Sequence, residues 1–201
     1  FGMGESKVED VLRDMMVSFT NPTIAPYAKQ GEVQVRVSAK AGSAEEAETM
    51  IRPVVEQIQK ILGDVVYGVD AGSLQNAAIE ALKAKRLTVA TAESCTGGGV
   101  SSALTDVPGA SAVLRGGICA YANDMKVKLL GVKEKTLEKY GAVSEQTAKE
   151  MARGARAASG ADIGIGVTGI AGPDGGSAEK PVGLVYIAVN SDAYSEVKEL
   201  R

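Results

Sequence analysis

A serine at a glycine-rich turn is the first candidate for chemistry in this chain. Ser94 follows the β-branched run TVATA and precedes Gly97, Gly98 and Gly99, so it lies where a strand is predicted to turn into a helix. A serine nucleophile needs a base. The chain contains no histidine, and lysine is the main substitute for it. The sequence therefore favours a Ser-Lys pair over a Ser-His-Asp triad.

Lys126 is the candidate base. It must be partly deprotonated near pH 7, so its pKa must fall from about 10.4 to roughly 7. If Asn123 caps a helix over NDMKVKLLGV, Lys126 is the third residue of that helix, where the helix dipole disfavours a cation. Tyr121 ends the preceding predicted strand, so its hydroxyl could orient Lys126 or relay a proton. The alternatives are a solvated surface lysine and a half-buried strand tyrosine.

The turn after Ser94 offers backbone amides to a ligand. At a helix start the amides of Thr96, Gly97 and Gly98 are unpaired, and glycine lets a ligand approach the backbone closely. Such a loop could bind a phosphate or could form an oxyanion hole beside the serine. A third interpretation is a helix cap with glycines for tight packing. Cys95 is either a thiol whose pKa the helix start lowers or a packed small residue.

A long glycine loop, VTGIAGPDGGSAEKPVG, is the third candidate part of the site. Loops of this length in compact domains are functional or mobile. Thr168 stands at the predicted strand end, and its hydroxyl could contact a phosphate or orient Ser94. Open α/β sheets bind ligands at the carboxyl ends of their strands. We therefore expect three loops to converge on one site: 93–99, 121–126 and 168–182.

The elements around these loops alternate between strand and helix patterns, which is typical of an α/β fold in three layers. A strand-like run precedes each loop, and KPVGLVYIAVN follows the last one. Helices are predicted over SLQNAAIEALKAKR, from about Gly98 to Leu104, over NDMKVKLLGV, and over SEQTAKEMARGARAASG with Ser144 as its cap.

The start of the chain predicts a separate small α+β domain. SKVEDVLRDMMVSF has apolar residues at helical spacing, and EVQVRVSAK alternates as a half-buried strand does. Ser43 and Glu46 form a capping box for a helix that ends at Gly63. DVVYGV is predicted as a last short strand. We therefore place domains at 1–70 and 71–201.

Composition narrows the class of protein. The 201 residues are 45% hydrophobic, which suits one or two globular domains. The net charge of −3 gives no bulk attraction to nucleic acids or membranes, and no run of about 18 apolar residues is present. The chain has two cysteines, Cys95 and Cys119, which are too few for a disulfide framework. Because it has no histidine, it also has too few ligands for a structural zinc site. We expect a cytoplasmic location and no metal. Because the chain starts at Phe1, we expect a fragment.

Four motifs, in order, carry a resemblance to a known family: TAESCTGG, GGICAYANDMKVKLLGV, YGAVSEQTAKEMARGA and VTGIAGPDGGSAEKPVG. Together they resemble the C-terminal domain of the CinA family of competence/damage-inducible proteins, over about Ser73 to Val189. FGMGES and NPTIAPYAKQGEVQVRV are similar to the KH-type middle domain of that family. The resemblance implies a three-layer α/β/α sandwich with a mixed sheet, preceded by a small α+β KH-like domain.

The C-terminal domain of that family resembles nicotinamide-nucleotide amidohydrolase. The resemblance therefore implies hydrolysis of the carboxamide of nicotinamide mononucleotide to nicotinic acid mononucleotide and ammonia, as in pyridine nucleotide recycling, without a cofactor. Carried over by motif, Ser94 is the nucleophile, Tyr121 and Lys126 belong to YxNxxK, and Thr168 belongs to TGIAGP. Substrate binding is expected at six residues: Thr96, Gly97, Gly98, Thr168, Gly169 and Gly172.

The resemblance also bears on partners. It implies a homo-oligomer and a further N-terminal domain, similar to molybdopterin-binding proteins, that this sequence lacks. The family pattern continues with a strand carrying GxR-like residues past Arg201, so we expect the second domain to be truncated at its C-terminus. The KH-like block lacks a GxxG loop, since Gly68 and Gly72 are one residue too far apart.

Two alternatives to the amidohydrolase remain at this point. One is a non-catalytic nucleotide-binding module of a competence/damage-inducible protein, in which the glycine loops hold phosphate without chemistry. The other is a nucleic-acid accessory protein, against which the acidic charge and the missing GxxG loop argue.

Overall fold

Two helices and a hairpin make up the first unit of the computed structural model, which describes residues 1–201 and divides into Phe1–Leu74 and Gln75–Arg201. The elements in chain order are α1 (Glu5–Ser18), β1 (Thr23–Lys29), β2 (Glu32–Ser38) and α2 (Ala44–Leu62). The two strands pair antiparallel. Apolar side chains of both helices and of the hairpin form its core: Val8, Leu12, Met15, Ile24, Val54 and Ile58.

The start of α2 confirms the predicted capping box. Ser43 Oγ accepts the Glu46 amide at 3.2 Å, and the Glu46 carboxylate accepts the Gly42 amide at 2.9 Å. The first bond satisfies a donor that a helix start would otherwise leave unpaired, and the second fixes the residue before the cap Ser43.

The predicted strand over DVVYGV is wrong. A short 3-10 turn occupies Gly63–Val65, and the segment after it has no strand partner. Tyr67 is held instead by its side chain, because its hydroxyl donates to Glu32 at 2.6 Å. Alternating valines favour a strand only where a neighbouring strand completes the ladder.

The second unit is an α/β domain around a mixed five-stranded sheet, with the order β4-β3-β5-β6-β7. Its helices are α3 (Leu74–Lys85), α4 (Gly99–Thr105), α5 (Asn123–Leu130), α6 (Glu134–Tyr140) and α7 (Glu145–Ser159). Its strands are β3 (Val89–Glu93), β4 (Leu114–Cys119), β5 (Ile163–Gly169), β6 (Val185–Asn190) and β7 (Ser195–Leu200). The strands β4, β3 and β5 run parallel, whereas β6 and β7 pair antiparallel. The predicted fold class is confirmed.

Helices cover both faces of this sheet, as the alternation of side chains along β3 shows. Ala90 and Ala92 pack with residues of α5 and α7, whereas Val89 packs with residues of α3 and α4. Glu93 lies on the same face as Val89, because side chains two and four residues apart share a face. This places the carboxylate of Glu93 under the start of α4.

Glycines in β5 let α7 approach the sheet closely. A Cβ on Gly164 would meet the Ala152 carbonyl oxygen at 1.9 Å, and a Cβ on Gly166 would meet the Ala148 carbonyl oxygen at 2.3 Å. The IGIG motif therefore serves packing and not ligand binding.

The sequence patterns missed α6 and β7. Only one residue of α6, Thr136, is buried, and β7 is an edge strand with Val197 alone half-buried. Neither element carries enough apolar residues for a periodic signal.

Candidate functional site

The candidate site lies at the carboxyl ends of the parallel strands. Ser94 directly follows β3, and its amide donates to the Val167 carbonyl of β5 at 3.0 Å. The chain after β4 leads through Tyr121 into α5, which carries Lys126. Because β4, β3 and β5 are neighbours and run parallel, the loops after them meet at one edge of the sheet.

The side chains of Ser94 and Lys126 are in direct contact. Lys126 Nζ donates to Ser94 Oγ at 3.0 Å and to the Tyr121 carbonyl at 2.7 Å. Lys126 is only 1% exposed and makes no ion pair. A buried lysine without a carboxylate partner is unusual, because an unpaired charge is costly to bury. The alternative of a solvated surface lysine is thus wrong.

Burial lowers the pKa of Lys126, and the thiols of Cys95 and Cys119 oppose this to a smaller extent. A lowered pKa is what a base at Lys126 requires. Its cause is burial, whereas the sequence analysis gave the helix dipole as the cause. Ala122 and not Asn123 is the cap of α5, so Lys126 is its fourth residue. The prediction of Asn123 as the cap was wrong by one residue.

Tyr121 contacts Lys126 through its backbone and not through its hydroxyl. Its side chain is 75% exposed, so the alternative of a half-buried strand residue is also wrong. The phenol therefore does not orient Lys126, and it is free to reach a bound molecule.

The amides of the turn are partly used within it. Gly97 donates to the Ser94 carbonyl at 3.0 Å, and Gly99 donates to the Thr96 carbonyl at 2.9 Å. The Gly98 amide has no protein acceptor. Of the three predicted amides, that of Gly97 is therefore occupied, whereas those of Thr96 and Gly98 donate to no backbone carbonyl.

Glu93 is a site residue that the sequence analysis did not single out. Its carboxylate accepts the amides of Val100 and Ser101 at 2.9 and 2.8 Å, at the start of α4. Burial by itself raises its pKa, but hydrogen bonds from Ser101, Thr96 and these two amides outweigh it and lower the pKa to about 2. An anion already occupies this helix start, which argues against a substrate phosphate there. The only sequence signal was a glutamate directly before the serine.

Open space lies over the three glycines of the turn. A Cβ on Gly97, Gly98 or Gly99 would meet no atom within 4 Å, so tight packing does not explain them. Gly97 and Gly98 have φ values of +59° and +101°, in the left-handed region that favours glycine. Gly99 has no positive φ and is helical, so the fold alone does not require a glycine there.

We expect the Gly99→Ala substitution to separate stability from function. Alanine at a helical position stabilises a protein by about 0.4–1 kcal/mol relative to glycine. The added methyl group would occupy the open space over the turn, so we expect KM for the substrate to rise about 10-fold. Thermal unfolding and steady-state kinetics test this. An unchanged KM would show that no ligand approaches Gly99.

The third loop is fixed by its own contacts. Thr168 donates its hydroxyl to the Ala142 carbonyl at 2.8 Å and makes no hydrogen bond with Ser94. A Cβ on Gly169 would meet the Leu184 carbonyl oxygen at 2.7 Å, and one on Gly172 would meet Val182 at 2.5 Å. These contacts account for both glycines structurally, and the substrate-binding roles of all three residues stay predictions.

Lys180 anchors this loop to the rest of the domain. Its Nζ donates to the carbonyls of Tyr140 and Val143 at 2.7 and 2.8 Å.

Cys95, beside Ser94, has its pKa raised, mainly by burial. This favours a packed small residue over a reactive thiolate.

Two concave surfaces lie away from Ser94. A groove of about 870 Å³ in the first unit lies between β2 and α2, and a depression of about 620 Å³ lies around Arg153, Arg156 and Asp192. Neither contains a serine paired with a buried lysine, so Ser94 and Lys126 stay the candidate site. No group of three His, Cys, Asp or Glu side chains could hold a metal ion. No helix combines the length and apolar character that crossing a membrane requires.

Sequence models of two families match the chain. The CinA C-terminal domain matches residues 71–201, and the KH domain of the damage-inducible protein CinA matches residues 1–68. A CinA-like protein of Kosmotoga olearia is 51% identical over 201 residues, which is 100% of this chain and 49% of that protein. A CinA-like protein of Dictyoglomus thermophilum is 50% identical over 200 residues, with the same coverage. The chain spans about half the length of these relatives.

Solved structures agree with these matches. A competence/damage inducible protein of Agrobacterium tumefaciens has a TM-score of 0.63 and 47% identity, over 68% of this chain and 83% of that chain. A competence-damaged protein (CinA) superfamily protein of Escherichia coli has a TM-score of 0.61 and 36% identity, over 67% of this chain and 80% of that chain.

Proposed function

The chain belongs to the CinA family, and from this premise we propose that it hydrolyses the carboxamide of nicotinamide mononucleotide to nicotinic acid mononucleotide and ammonia. The observation that carries the proposal is the 3.0 Å contact between Ser94 Oγ and the buried amine of Lys126. A serine nucleophile with a base in hydrogen-bond reach is one arrangement that hydrolyses amides without a metal.

The proposed reaction has two halves. In the first, neutral Lys126 takes the hydroxyl proton of Ser94, and Oγ attacks the amide carbon. The open amide of Gly98 stabilises the oxyanion. Lys126 then returns the proton to the amide nitrogen, the C–N bond breaks and ammonia leaves an acyl ester on Ser94. In the second half, water attacks the ester with Lys126 as base, which releases the carboxylate and restores the serine.

Direct assay of ammonia tests this proposal. The purified protein is incubated with nicotinamide mononucleotide, and ammonia and nicotinic acid mononucleotide are quantified together. We expect both products in equal amounts, and slower turnover of nicotinamide riboside, which lacks the phosphate. Calorimetric binding of the mononucleotide without turnover would instead favour the non-catalytic nucleotide-binding module.

We expect the rate to depend on pH through Lys126. The neutral amine is the active base, so kcat/KM should rise with pH and level off above the pKa of Lys126. Because burial lowers that pKa, the midpoint should lie below the ordinary value of about 10.4. A pH series of kcat/KM measures it. A midpoint near 10.4 would exclude Lys126 as the base.

A further inference from the structure

Glu93 joins the end of β3 to the start of α4. Its backbone belongs to the sheet, where its carbonyl accepts the Ala120 amide at 2.8 Å. Its carboxylate, in a side chain only 1% exposed, accepts the Val100 and Ser101 amides. It also accepts the hydroxyls of Ser101 at 2.7 Å and Thr91 at 3.1 Å. One residue therefore holds both ends of the turn that contains Ser94.

Ser94 is also held by the hydrogen bond from its amide to the Val167 carbonyl and by Lys126 Nζ, but the glycines after it have few contacts. The three glycines of the turn have no side chains to pack, and only two hydrogen bonds, from Gly97 and Gly99, lie within it. The residue before the helix, Gly98, offers no side-chain cap to α4. A run of glycines loses much conformational entropy when it is ordered. Charge-assisted hydrogen bonds, such as those of Glu93, are the strong ones.

The neighbouring strand makes room for this arrangement. Gly117 of β4 lies opposite Thr91 of β3. A Cβ on Gly117 would meet Ser101 Oγ at 2.0 Å and Thr91 Oγ1 at 2.9 Å. The glycine in β4 thus accommodates the hydroxyls that bind Glu93, so a second strand contributes to the same cluster.

We propose that Glu93 is a positioning residue, which fixes the turn from Ser94 to Gly99 and thereby keeps Ser94 Oγ aligned with Lys126 Nζ. The inference rests on the proposed function, since alignment matters only if Ser94 is the nucleophile. A displacement of about 1 Å at a reacting atom can lower a rate about 100-fold. The effect should therefore fall on kcat and not on substrate binding.

The Glu93→Gln variant tests the proposal. Glutamine keeps the shape but offers one acceptor oxygen in place of two, so the start of α4 loses part of its anchor. We expect kcat to fall about 100-fold with KM changed less than about 3-fold. Ser101→Ala, which removes one hydroxyl donor and keeps both amides, should lower kcat by a smaller factor. It serves as a second test if Glu93→Gln does not fold.

Glu150→Gln is the matched control. Glu150 holds α6 in a similar manner, because it accepts the Lys133 amide at 2.8 Å and the Thr136 hydroxyl at 2.9 Å. We expect this variant to lose stability while kcat is retained. If Glu93→Gln keeps its kcat, or if both glutamine variants lose kcat in proportion to stability, Glu93 does not position the nucleophile.

A second measurement separates this inference from the proposed function. The rate at which phenylmethanesulfonyl fluoride modifies Ser94, followed by mass spectrometry, reports nucleophile alignment without any substrate. We expect Glu93→Gln to react about 10-fold or more slowly than the wild type, and Glu150→Gln to react like the wild type. If the wild type is modified but releases no ammonia, the proposed function fails, and the labelling rates still decide the role of Glu93.

Discussion

The Ser94→Ala variant is expected to lose at least about 10⁴-fold in the rate of ammonia release, because no covalent step is possible without Oγ. The fold should survive, since the only side-chain hydrogen bond lost is the one to Lys126 Nζ. A single hydrogen bond contributes about 0.5–1.5 kcal/mol to stability. Ammonia release and thermal unfolding of the same preparation measure both effects.

Ser102→Ala provides the control for this variant. Ser102 is an exposed residue of α4, and its side chain makes no hydrogen bond. Its variant should keep wild-type activity. Rapid quenching followed by mass spectrometry should also find an acyl group on the peptide containing Ser94 in the wild type. Full activity of Ser94→Ala would remove this serine from the mechanism.

The Lys126→Met variant is expected to lose about 10²- to 10⁴-fold in kcat, which is the range for removal of a general base. Methionine fills a similar volume without a charge. Lys128→Met is the matched control, because Lys128 is an exposed residue of the same helix. We expect the control to keep its activity, and equal losses in both variants would argue against a specific role for Lys126.

The same variant should change how stability depends on pH. In the folded protein the pKa of Lys126 is lowered by burial, so the unfolded chain binds more protons at this residue between the lowered pKa and about 10.4. The free energy of unfolding of the wild type should therefore rise with pH in that window. Relative to Lys126→Met, the wild type should be least stable below the lowered pKa. Urea unfolding of both proteins across this range measures the difference, and parallel curves would contradict an unpaired buried amine.

The sequence determined the pair of groups at the centre of the site. The absence of histidine pointed to a lysine base, and the spacing of the motifs pointed to Lys126. The strand and helix patterns placed Ser94, Lys126 and Thr168 near the carboxyl ends of strands. These patterns were sufficient to predict that the three residues lie close together. The strands β4, β3 and β5 are parallel neighbours, so their carboxyl ends meet at one edge of the sheet. Local chemistry also fixed the helix caps at Ser43 and Ser144, which the structure confirms.

Other features depend on contacts between distant parts of the chain. The strand predicted over DVVYGV lacks a partner, and β7 forms only because β6 offers an edge to it. Local patterns carry no information on either of these points.

Two properties of the site were decided by tertiary structure alone. The pKa of Lys126 is lowered by burial, which is set by everything packed around α5, and not by its position along the helix. Glu93 meets the start of α4 only because the chain turns back over the end of β3. Sequence thus determined which groups could react, because their chemistry belongs to residue types. The fold determined their protonation and alignment, because desolvation and hydrogen bonding depend on how the chain packs around each group.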